Sequence, residues 1–442
     1  MISGDSIVAL SSGRLPAGVA VIRISGPQTR FAVERIAGGM VKDRVAVLRR
    51  FTAPDRAVLD TGLVVFFPGP ASFTGEDVAE FHVHGGRAVV AKMLETIAGL
   101  DGVRHAEAGE FTRRAFLNGK VDLVETEALA DLVSAETEAQ RRFAVQNAEG
   151  VQSELYLSWR RRLIHARAMI EAEIDFADED DVPGSVSDTV WSDVRTMIGE
   201  IHRHIAGYHA AEIIRDGFEV VILGAPNAGK SSLFNALARR DAAIVTDEPG
   251  TTRDLLEVTL DLQGLRVRLT DTAGLRDAPG KVEAIGIEKA RAKAHGADLL
   301  LLLRDVADPR AIGPLPTEAP ILRVGTKLDL LESRAASGAA EDDVVISVKN
   351  GTGVEELLAE IGRRAAEAAG SVGDVLPSRL RHVELLGAAN SHLLRATDGQ
   401  TGGQELRAEE LRLAADRLGR IVGAIDVEDM LDVIFSQFCI GK

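Results

Sequence analysis

The sequence has little cysteine and no long apolar run. A single cysteine among 442 residues excludes a disulfide framework and a multi-thiolate metal site, and it favours a reducing compartment. Residues 1–13 lack a charged segment followed by an apolar core, so we predict no signal peptide. The apolar run at 299–303 is far too short to span a membrane and is typical of a strand. We therefore expect a cytoplasmic protein without a membrane span.

The balance of charge is acidic, with a formal net charge of −16. This counts against a protein that coats nucleic acid, because such surfaces are basic, so an RNA partner would need a local basic patch. The length of 442 residues is enough for two or three domains. The 45% hydrophobic and 27% charged content is that of an ordinary globular protein.

The stretch Gly224–Ser231 matches the phosphate-loop pattern G-x-x-x-x-G-K-[ST] at every fixed position. An apolar run, 218–223, precedes it and predicts a buried strand, and residues 232–237 open a helix. Glycines let backbone N–H groups surround phosphate oxygens, and the helix N-terminus adds positive potential. We expect Lys230 to reach the β- and γ-phosphates and Ser231 to bind Mg²⁺. The flanking strand and helix argue against a chance glycine-rich turn.

The residues that would recognise the base of the nucleotide lie further along the chain. Thr326-Lys327-Leu328-Asp329 follows a predicted strand, 321–325, and resembles the Asn-Lys-x-Asp element of small GTPases. Asp329 would accept hydrogen bonds from the guanine N1–H and amine, which adenine does not offer, and Lys327 would pack over the base. Thr326 replaces asparagine and predicts a lower affinity, since threonine supplies only part of the amide's hydrogen bonds. Ser347-Val348-Lys349 resembles the element whose backbone contacts the guanine carbonyl.

Two further elements point to hydrolysis. Asp271-Thr272-Ala273-Gly274 follows a predicted strand, 265–270; Asp271 would hold Mg²⁺ through water and the Gly274 N–H would sense the γ-phosphate. Residues 250–254 lie where switch I belongs, and Thr252 is the natural second Mg²⁺ ligand.

The group that orients water is not the usual one. Leu275 follows the Asp-x-x-Gly element, where many GTPases have a catalytic glutamine. Glu283, in a segment expected to be mobile (275–287), is one candidate, and a surface glutamate is the alternative. Arg253 and Arg276 are candidate arginine fingers by position only. Asn227 suggests another solution, a monovalent cation that neutralises charge between the β- and γ-phosphates.

Periodicity divides the chain into an α+β region and helical regions on either side of the nucleotide module. We predict strands at 6–10, 18–24, 58–67 and 77–83, and helices at 30–37, 87–100, 123–140, 151–176, 186–214, 380–397 and 405–423; residues 429–438 lead into the terminal sequence. The expected domains are 1–118 (N-terminal, α+β), 119–215 (helical, first part), 216–372 (α/β nucleotide module) and 373–442 (helical, second part). An α/β domain inserted into a helical domain explains this order most simply.

Several charged residues allow two interpretations. Arg23 and Glu80 lie in apolar strands, and composition favours a solvated face over a site. His82 and His84 share a strand face, but no third metal ligand is visible nearby, so ordinary strand residues are favoured. The acidic run at 175–183 lacks an EF-hand pattern, which favours a solvated helix end over a cation site.

Taken together, the motifs resemble the MnmE (TrmE) family of bacterial tRNA-modification GTPases over essentially the whole chain. The residues that carry the resemblance are Ser72-Phe73-Thr74-Gly75-Glu76-Asp77, His84-Gly85-Gly86, the run Gly109 to Lys120, the phosphate loop, Gly250-Thr251-Thr252-Arg253-Asp254 and the terminal Phe438-Cys439-Ile440-Gly441-Lys442. The terminal sequence is the most specific of these.

The resemblance implies an N-terminal tetrahydrofolate-binding and dimerisation domain, a helical domain and an inserted Ras-like P-loop G domain. It implies a potassium-activated GTP hydrolase that acts as a homodimer with a flavin-dependent partner protein, in a heterotetramer. The reaction would place aminomethyl or carboxymethylaminomethyl groups on carbon 5 of uridine 34 in certain tRNAs. The one-carbon unit would come from 5,10-methylene- or 5-formyl-tetrahydrofolate.

Residue roles follow from the matching positions. Arg23, Glu80, Lys120 and Lys442 match folate contacts, Glu283 matches the glutamate that positions water, and Cys439 matches a cysteine near the folate, with a buried core residue as its alternative. Potassium ligands would be Asn227, Thr246, Glu248 and Thr251. The nucleotide contacts predicted in full are Asn227, Ala228, Gly229, Lys230, Ser231, Ser232, Thr246, Asp247, Glu248, Pro249, Gly250, Thr251, Thr252, Asp271, Thr272, Ala273, Gly274, Thr326, Lys327, Asp329, Ser347, Val348 and Lys349.

This sequence also departs from the family pattern. Ala225 replaces a common arginine, and Glu248-Pro249 replaces a small apolar pair. Pro249 leaves the Glu248 carbonyl free to bind a cation, so we expect potassium dependence to persist. Two alternatives are a regulatory GTPase of the ribosome-assembly type without its own chemistry, and a transporter G domain, which the lack of a span disfavours. A pure switch would not need Arg23, Glu80 and the terminal Cys-Ile-Gly-Lys.

Overall fold

The structure is a computed structural model. It describes residues 4–175, 186–240, 242–244, 256–271, 296–308, 319–331, 342–370, 373–398 and 402–425, together with Leu431, Ile434, Phe435, Phe438 and Gly441. The chain divides into two compact units. The first unit comprises Met1–Ala130, Ala148–Ala168 and Leu411–Lys442, and the second comprises Asp131–Asn147 and Met169–Glu410.

The first part of the chain alternates strands and helices before it becomes helical. Its elements are β1 (Ser6–Leu10), β2 (Ala17–Ser25), α1 (Thr29–Ala37), β3 (Val47–Thr52), β4 (Val58–Phe67), β5 (Val78–Gly85), α2 (Arg87–Ala98), β6 (Val103–His105), α3 (Glu110–Leu117), α4 (Leu123–Ser134), α5 (Glu138–Ala148) and α6 (Val151–Asp175). The six strands form one sheet in the order β3-β4-β5-β2-β1-β6. The β1–β6 pair is parallel, and the other pairs are antiparallel.

One face of this sheet forms the core of the first unit. In β2, Ala20, Ile22 and Ile24 are fully buried, whereas Val21 and Arg23 alternate with them on the opposite face. The buried face packs against α1 and α2, whose Val33, Ile36, Met93 and Ile97 are also fully buried. The period-two alternation therefore places Arg23 and its cross-strand partner Glu80 on the face away from this core.

The C-terminal segment packs within the same unit. Leu431, Ile434, Phe435 and Phe438 form an apolar cluster with Leu123 at the start of α4. Gly109, just before α3, has φ of 67°, and a Cβ there would lie 2.5 Å from the Phe435 carbonyl oxygen. The glycine is required both by its backbone conformation and by this close approach.

The second unit contains a seven-stranded sheet. The remaining elements are α7 (Val186–Ala206), α8 (Tyr208–Asp216), β7 (Phe218–Gly224), α9 (Lys230–Ala238), β8 (Ala243–Ile244), β9 (Leu256–Leu262), β10 (Leu265–Asp271), β11 (Leu299–Asp305), β12 (Ile321–Thr326), a 3₁₀ turn (Leu328–Leu330), β13 (Val344–Val345), α10 (Val354–Ala369), α11 (Leu380–Thr397) and α12 (Gln404–Val422). The strand order is β13-β12-β11-β7-β10-β9-β8, with β9 antiparallel to both neighbours and the pairs from β13 to β10 parallel. This is the α/β arrangement of a Ras-like module, and it confirms the predicted mixed α+β and α/β class.

The predicted elements differ from the structure in several places. β3 was missed because Arg49 and Arg50 interrupt an edge strand, and β6 because it has three residues. The single helix predicted at 123–140 is wrong: α4 and α5 are separated at 135–137, where Gln140 Oε1 accepts from the Thr137 N–H at 3.1 Å. This is a capping box, which the Thr-x-x-Gln pattern indicates. The helix predicted at 186–214 is likewise divided at Gly207.

Candidate functional site

The phosphate loop lies between β7 and α9, as the sequence predicts. Asn227 (φ 65°) and Gly229 (φ 88°) adopt left-handed backbone conformations, which turn the chain into the helix. A Cβ on Gly224 would lie 2.6 Å from the Leu303 carbonyl oxygen of the neighbouring β11, so this position requires glycine. Lys230 is 7% exposed, and its Nζ donates to the carbonyls of Gly224 and Ala225, each at 2.9 Å. Its ammonium therefore lies against the loop itself.

Two oxygen donors meet beside this loop. Ser231 Oγ lies 3.4 Å from Asp271 Oδ2, which stands at the end of β10 in a fully buried residue. In the parallel pairing of β10 with β7, Asp271 is opposite Ile222. A hydroxyl and a carboxylate are the hard ligands that Mg²⁺ prefers, so the two residues suit that ion.

The guanine-specifying elements come together at the same edge of the sheet. Ser347 Oγ donates to Asp329 Oδ1 at 2.7 Å, and Lys349 Nζ lies 3.9 Å from Asp329 Oδ2. Lys327 Nζ forms an ion pair with Asp305 Oδ2 at 2.7 Å. Burial acts to raise the pKa of the Asp305 carboxyl, but hydrogen bonds from Lys327 and from backbone N–H groups outweigh it and lower that pKa. The loops after four parallel strands thus converge where ligands of open α/β sheets bind.

Thr326, the residue that replaces asparagine, contacts the phosphate loop. Its hydroxyl lies 2.8 Å from the Ala228 carbonyl oxygen and 3.1 Å from the Arg304 carbonyl oxygen, and the residue is 2% exposed. Threonine therefore makes at least the hydrogen bond that braces the loop, at a position 98 residues away in the chain.

Many of the predicted contacts lie outside the described residues. In the nucleotide site these are Thr246, Asp247, Glu248, Pro249, Gly250, Thr251, Thr252, Thr272, Ala273, Gly274 and Glu283, with the candidate arginines Arg253 and Arg276; at the C-terminus they are Cys439 and Lys442.

The first unit holds a second polar site. Arg23 Nη2 and Glu80 Oε1 are 2.8 Å apart, and their side chains are 23% and 19% exposed. The Arg23 Cζ lies 5.8 Å from the ring centroids of both Phe73 and Phe111. A half-buried ion pair between two aromatic rings differs from the freely solvated face that composition favours.

Sequence reasoning missed the charged cluster that supports this site. Arg114 is 4% exposed and bonds to Glu76 (3.1 Å), Glu110 (3.0 Å) and Asp5 (3.2 Å). Glu76 also accepts from Ser25 Oγ at 2.7 Å. Opposite charges in the two motifs, 72–77 and 109–120, were the available signal for such a buried pair.

The same two motifs are joined by further hydrogen bonds. Asn118 Nδ2 donates to the Thr74 carbonyl at 2.7 Å, and Lys120 Nζ donates to the Pro70 carbonyl at 2.9 Å. The 69–77 loop, which carries Phe73, is thus fastened to the end of α3. Lys120, a predicted folate contact, is connected to the Arg23 site through this loop.

The two strand histidines have carboxylate partners. His84 Nδ1 lies 2.9 Å from Asp60 Oδ1, and His82 Nε2 lies 3.4 Å from Glu80 Oε2. Within the described ranges, no group of three or more His, Cys, Asp or Glu residues has a metal-binding arrangement. Of the acidic run, Asp175 ends α6 and the rest lies beyond the described residues.

The C-terminus reaches the first strand. Ser11 Oγ donates to the Gly441 carbonyl at 2.7 Å, and a Cβ on Gly441 would lie 2.0 Å from the Leu10 carbonyl oxygen. Gly441 has φ of 103°, so both conformation and contact require glycine. In the portion of the chain that is described, no helix combines the length and apolarity needed to cross a membrane.

Comparison with known proteins identifies the family of this chain. The chain matches the family model "GTP-binding protein TrmE N-terminus" over residues 6–120 and "MnmE helical domain" over residues 123–439. It is 87% identical to a tRNA modification GTPase MnmE of Mesorhizobium japonicum, over 100% of both chains. Two other tRNA modification GTPases named MnmE are 58% identical (Chelativorans sp.) and 55% identical (Brucella anthropi), each over 99% of this chain and 98% of the relative. The chain therefore belongs to the MnmE family of tRNA modification GTPases.

Proposed function

We propose that this protein is a potassium-activated GTPase that, with a flavin-dependent partner protein, modifies carbon 5 of uridine 34 in certain tRNAs. The groups made are of the aminomethyl or carboxymethylaminomethyl type. The observation that carries the proposal is the place of Gly441. It packs on Leu10 and Ser11, one residue from Ala9, which is the cross-strand partner of Arg23. With Gly441 at this place, the terminal Cys-Ile-Gly-Lys would end beside the Arg23–Glu80 pair.

The GTP half of the proposal rests on the geometry of the sheet edge. Lys230 would bind the β- and γ-phosphates, Asp329 would accept from the guanine N1–H and amine, and Ser231 and Asp271 would hold Mg²⁺. Such an ion would supply positive charge against the phosphates. Support comes from the 3.4 Å between Ser231 and Asp271 and the 2.7 Å between Ser347 and Asp329.

Hydrolysis is assigned by the family resemblance. Leu275 cannot orient water, so we assign that role to Glu283. Potassium would be held by Asn227, Thr251 and the carbonyls of Thr246 and Glu248, and its charge would replace that of an arginine finger. Thr252 would complete the Mg²⁺ site.

The folate half rests on the first unit. A tetrahydrofolate supplies the one-carbon unit when bound. The paired Glu80 and Arg23 offer an acceptor and a donor on one half-buried face, and Lys120 adds a cation for the acidic end of the ligand. Lys442 would join them, and Cys439 would lie beside the reacting carbon.

The architecture proposed for this activity has four segments: residues 1–118, 119–215, 216–372 and 373–442. The third is the G domain, inserted into the helical domain formed by the second and fourth. We further propose a homodimer through the N-terminal domains, a heterotetramer with the flavin-dependent partner, and a cytoplasmic location. Insertion would let the state of the nucleotide act on the helical domain without a separate subunit.

Binding and turnover of the full-length protein test both halves. We expect 5-formyl-tetrahydrofolate to bind the wild type, and Glu80→Gln to weaken binding at least about tenfold, because a carboxylate acceptor is lost. Glu95→Gln, on the exposed face of α2, is the matched control and should bind normally. GTP turnover should be much faster in potassium than in sodium and should fall strongly in Glu283→Ala with GTP affinity kept. Absent folate binding would favour a pure switch, and equal rates in both salts would refute the cation mechanism.

A further inference from the structure

Thr326 occupies the position at which guanine-specific GTPases have an asparagine, and its surroundings limit what it can do. Its Oγ1 lies 2.8 Å from the Ala228 carbonyl oxygen and 3.1 Å from the Arg304 carbonyl oxygen. Both neighbours are acceptors, and a hydroxyl has one proton to donate. Since the residue is only 2% exposed, that proton is committed to one of these two carbonyls.

The base edge that an asparagine amide would read presents only acceptors. Guanine offers N7 and O6 as acceptors on that edge, whereas its N1–H and 2-amino donors lie on the edge assigned to Asp329. A hydroxyl whose proton is already donated to a carbonyl cannot hydrogen bond to N7. The side chain of Lys327 is likewise committed, since its Nζ lies 2.7 Å from Asp305 Oδ2.

The Thr326 hydroxyl instead forms a structural hydrogen bond with the phosphate loop. Ala228 belongs to the phosphate loop, and the shortest bond of Thr326 ties this loop to the end of β12. A Cβ built on the next residue, Gly229, would lie 3.6 Å from the Thr326 Cβ, so the side chain packs directly under the loop. Losing the hydroxyl would remove this hydrogen bond between the phosphate loop and the end of β12.

We propose that Thr326 positions the phosphate loop and leaves guanine N7 unread, so that this protein selects its nucleotide by the N1–H and 2-amino groups alone. It then accepts purine nucleoside triphosphates altered at position 7, provided that those two donors are kept. The inference rests on the proposed binding of GTP and names the part of the base that the site recognises.

The test compares nucleotides on the full-length wild type, by displacement of a fluorescent GDP analogue. 7-Deaza-GTP, which has a carbon in place of N7, should bind within about twofold of GTP, because no donor faces N7. ITP, which lacks the 2-amino group, should bind at least about tenfold more weakly, because an acceptor of Asp329 loses its partner. This comparison needs no variant, so it holds whether or not substituted proteins fold.

Three variants sharpen the test. T326N should acquire a preference for GTP over 7-deaza-GTP of about fivefold, the value of one hydrogen bond. T326V should weaken both nucleotides by the same factor, because it loses only the brace, and T326S, which keeps the hydroxyl, should restore both. A wild type that prefers GTP over 7-deaza-GTP by about fivefold or more would overturn the inference. If ATP bound as tightly as GTP, the proposed function itself would fail instead.

Discussion

The nucleotide edge of the second unit and the polar site of the first unit are built on opposite principles. At the nucleotide edge, each loop follows its own strand and carries its own chemistry, so backbone geometry does most of the binding. In the first unit, Arg23, Glu80, Arg114 and Gly441 come from distant parts of the chain and meet only when an antiparallel sheet and the C-terminus pack together. A site made of loops can be read from local motifs, whereas a site made of converging side chains cannot.

Arg114→Ala should have the largest effect, and on the first unit alone. It takes the Arg114 cation from the Glu76 carboxylate in a buried place, which costs about 3–5 kcal/mol, whereas Glu110 and Asp5 keep their ion pairs with Arg104. Chemical denaturation should show the loss of stability, and folate binding should fall because the 69–77 loop is released. The exposed Arg161 of α6, in the same unit, gives the control, R161A, which should leave folate binding unchanged and alter stability little. An Arg114→Ala protein with normal folate affinity would contradict the role of the loop.

Lys230→Ala should impair the nucleotide site of the second unit and leave the site of the first unit unchanged. Removing the ammonium from the phosphate loop should lower GTP turnover by about 10²–10³-fold, as for other donors to a developing phosphate charge. The folate affinity should stay at the wild-type value, measured by titration calorimetry. Lys92→Ala, on the exposed surface of α2, serves as the control for turnover. Loss of folate binding in the Lys230 variant would show that the two sites are not separable.

The buried residue His204 makes the stability of the second unit depend on pH. Burial and the nearby His382 lower the pKa of His204 from 6.5 to about 4. Between pH 6.5 and 4, His204 is therefore protonated in the unfolded chain and neutral in the folded one. Because the unfolded state binds the additional proton, the free energy of unfolding falls as the pH drops from 6.5 to 4, by up to about 3 kcal/mol. Thermal melts from pH 7 to 4 should show a shallower decline in His204→Gln than in the wild type. In His202→Gln, an exposed position on the same helix, the wild-type slope should remain.

Ser11→Ala should have the smallest effect, and it tests whether the docked C-terminus supports folate binding. It removes the hydrogen bond to the Gly441 carbonyl, so the free energy of unfolding should fall by no more than about 1 kcal/mol and folate should bind up to about fivefold more weakly. GTP turnover should not move. Unchanged folate affinity would mean that the last residues are not held at the site by this contact.

The sequence predicted the nucleotide site of the second unit more fully than the polar site of the first unit. The phosphate loop, Asp271, Thr326-Lys327-x-Asp329 and Ser347 were all identified, and the structure brings them to one edge, because each motif lies directly after its strand. Composition alone favoured a solvated Arg23 and Glu80, since burial on a sheet face depends on Phe73 and Phe111 from other segments. Glu76 and Arg114 were quoted within motifs but not paired, because residues 38 apart share no local pattern.

Thr326 illustrates the limit of a motif match. The sequence predicts a weaker guanine contact from the missing amide, but only the structure reveals that the hydroxyl meets the Ala228 carbonyl in a loop far away in the chain. The short-range pattern gives the chemistry of the residue, and long-range packing decides which partner receives its proton.

The central claim is that one chain couples GTP hydrolysis to a one-carbon carrier held in its first unit. It is tested most directly by transfer of labelled carbon from 5,10-methylene-tetrahydrofolate to uridine 34 of tRNA, with GTP, potassium and the flavin-dependent partner. We expect the wild type to transfer label and Glu80→Gln to transfer almost none, while the variant keeps its GTP turnover. Transfer by Glu80→Gln at the wild-type rate would contradict the account.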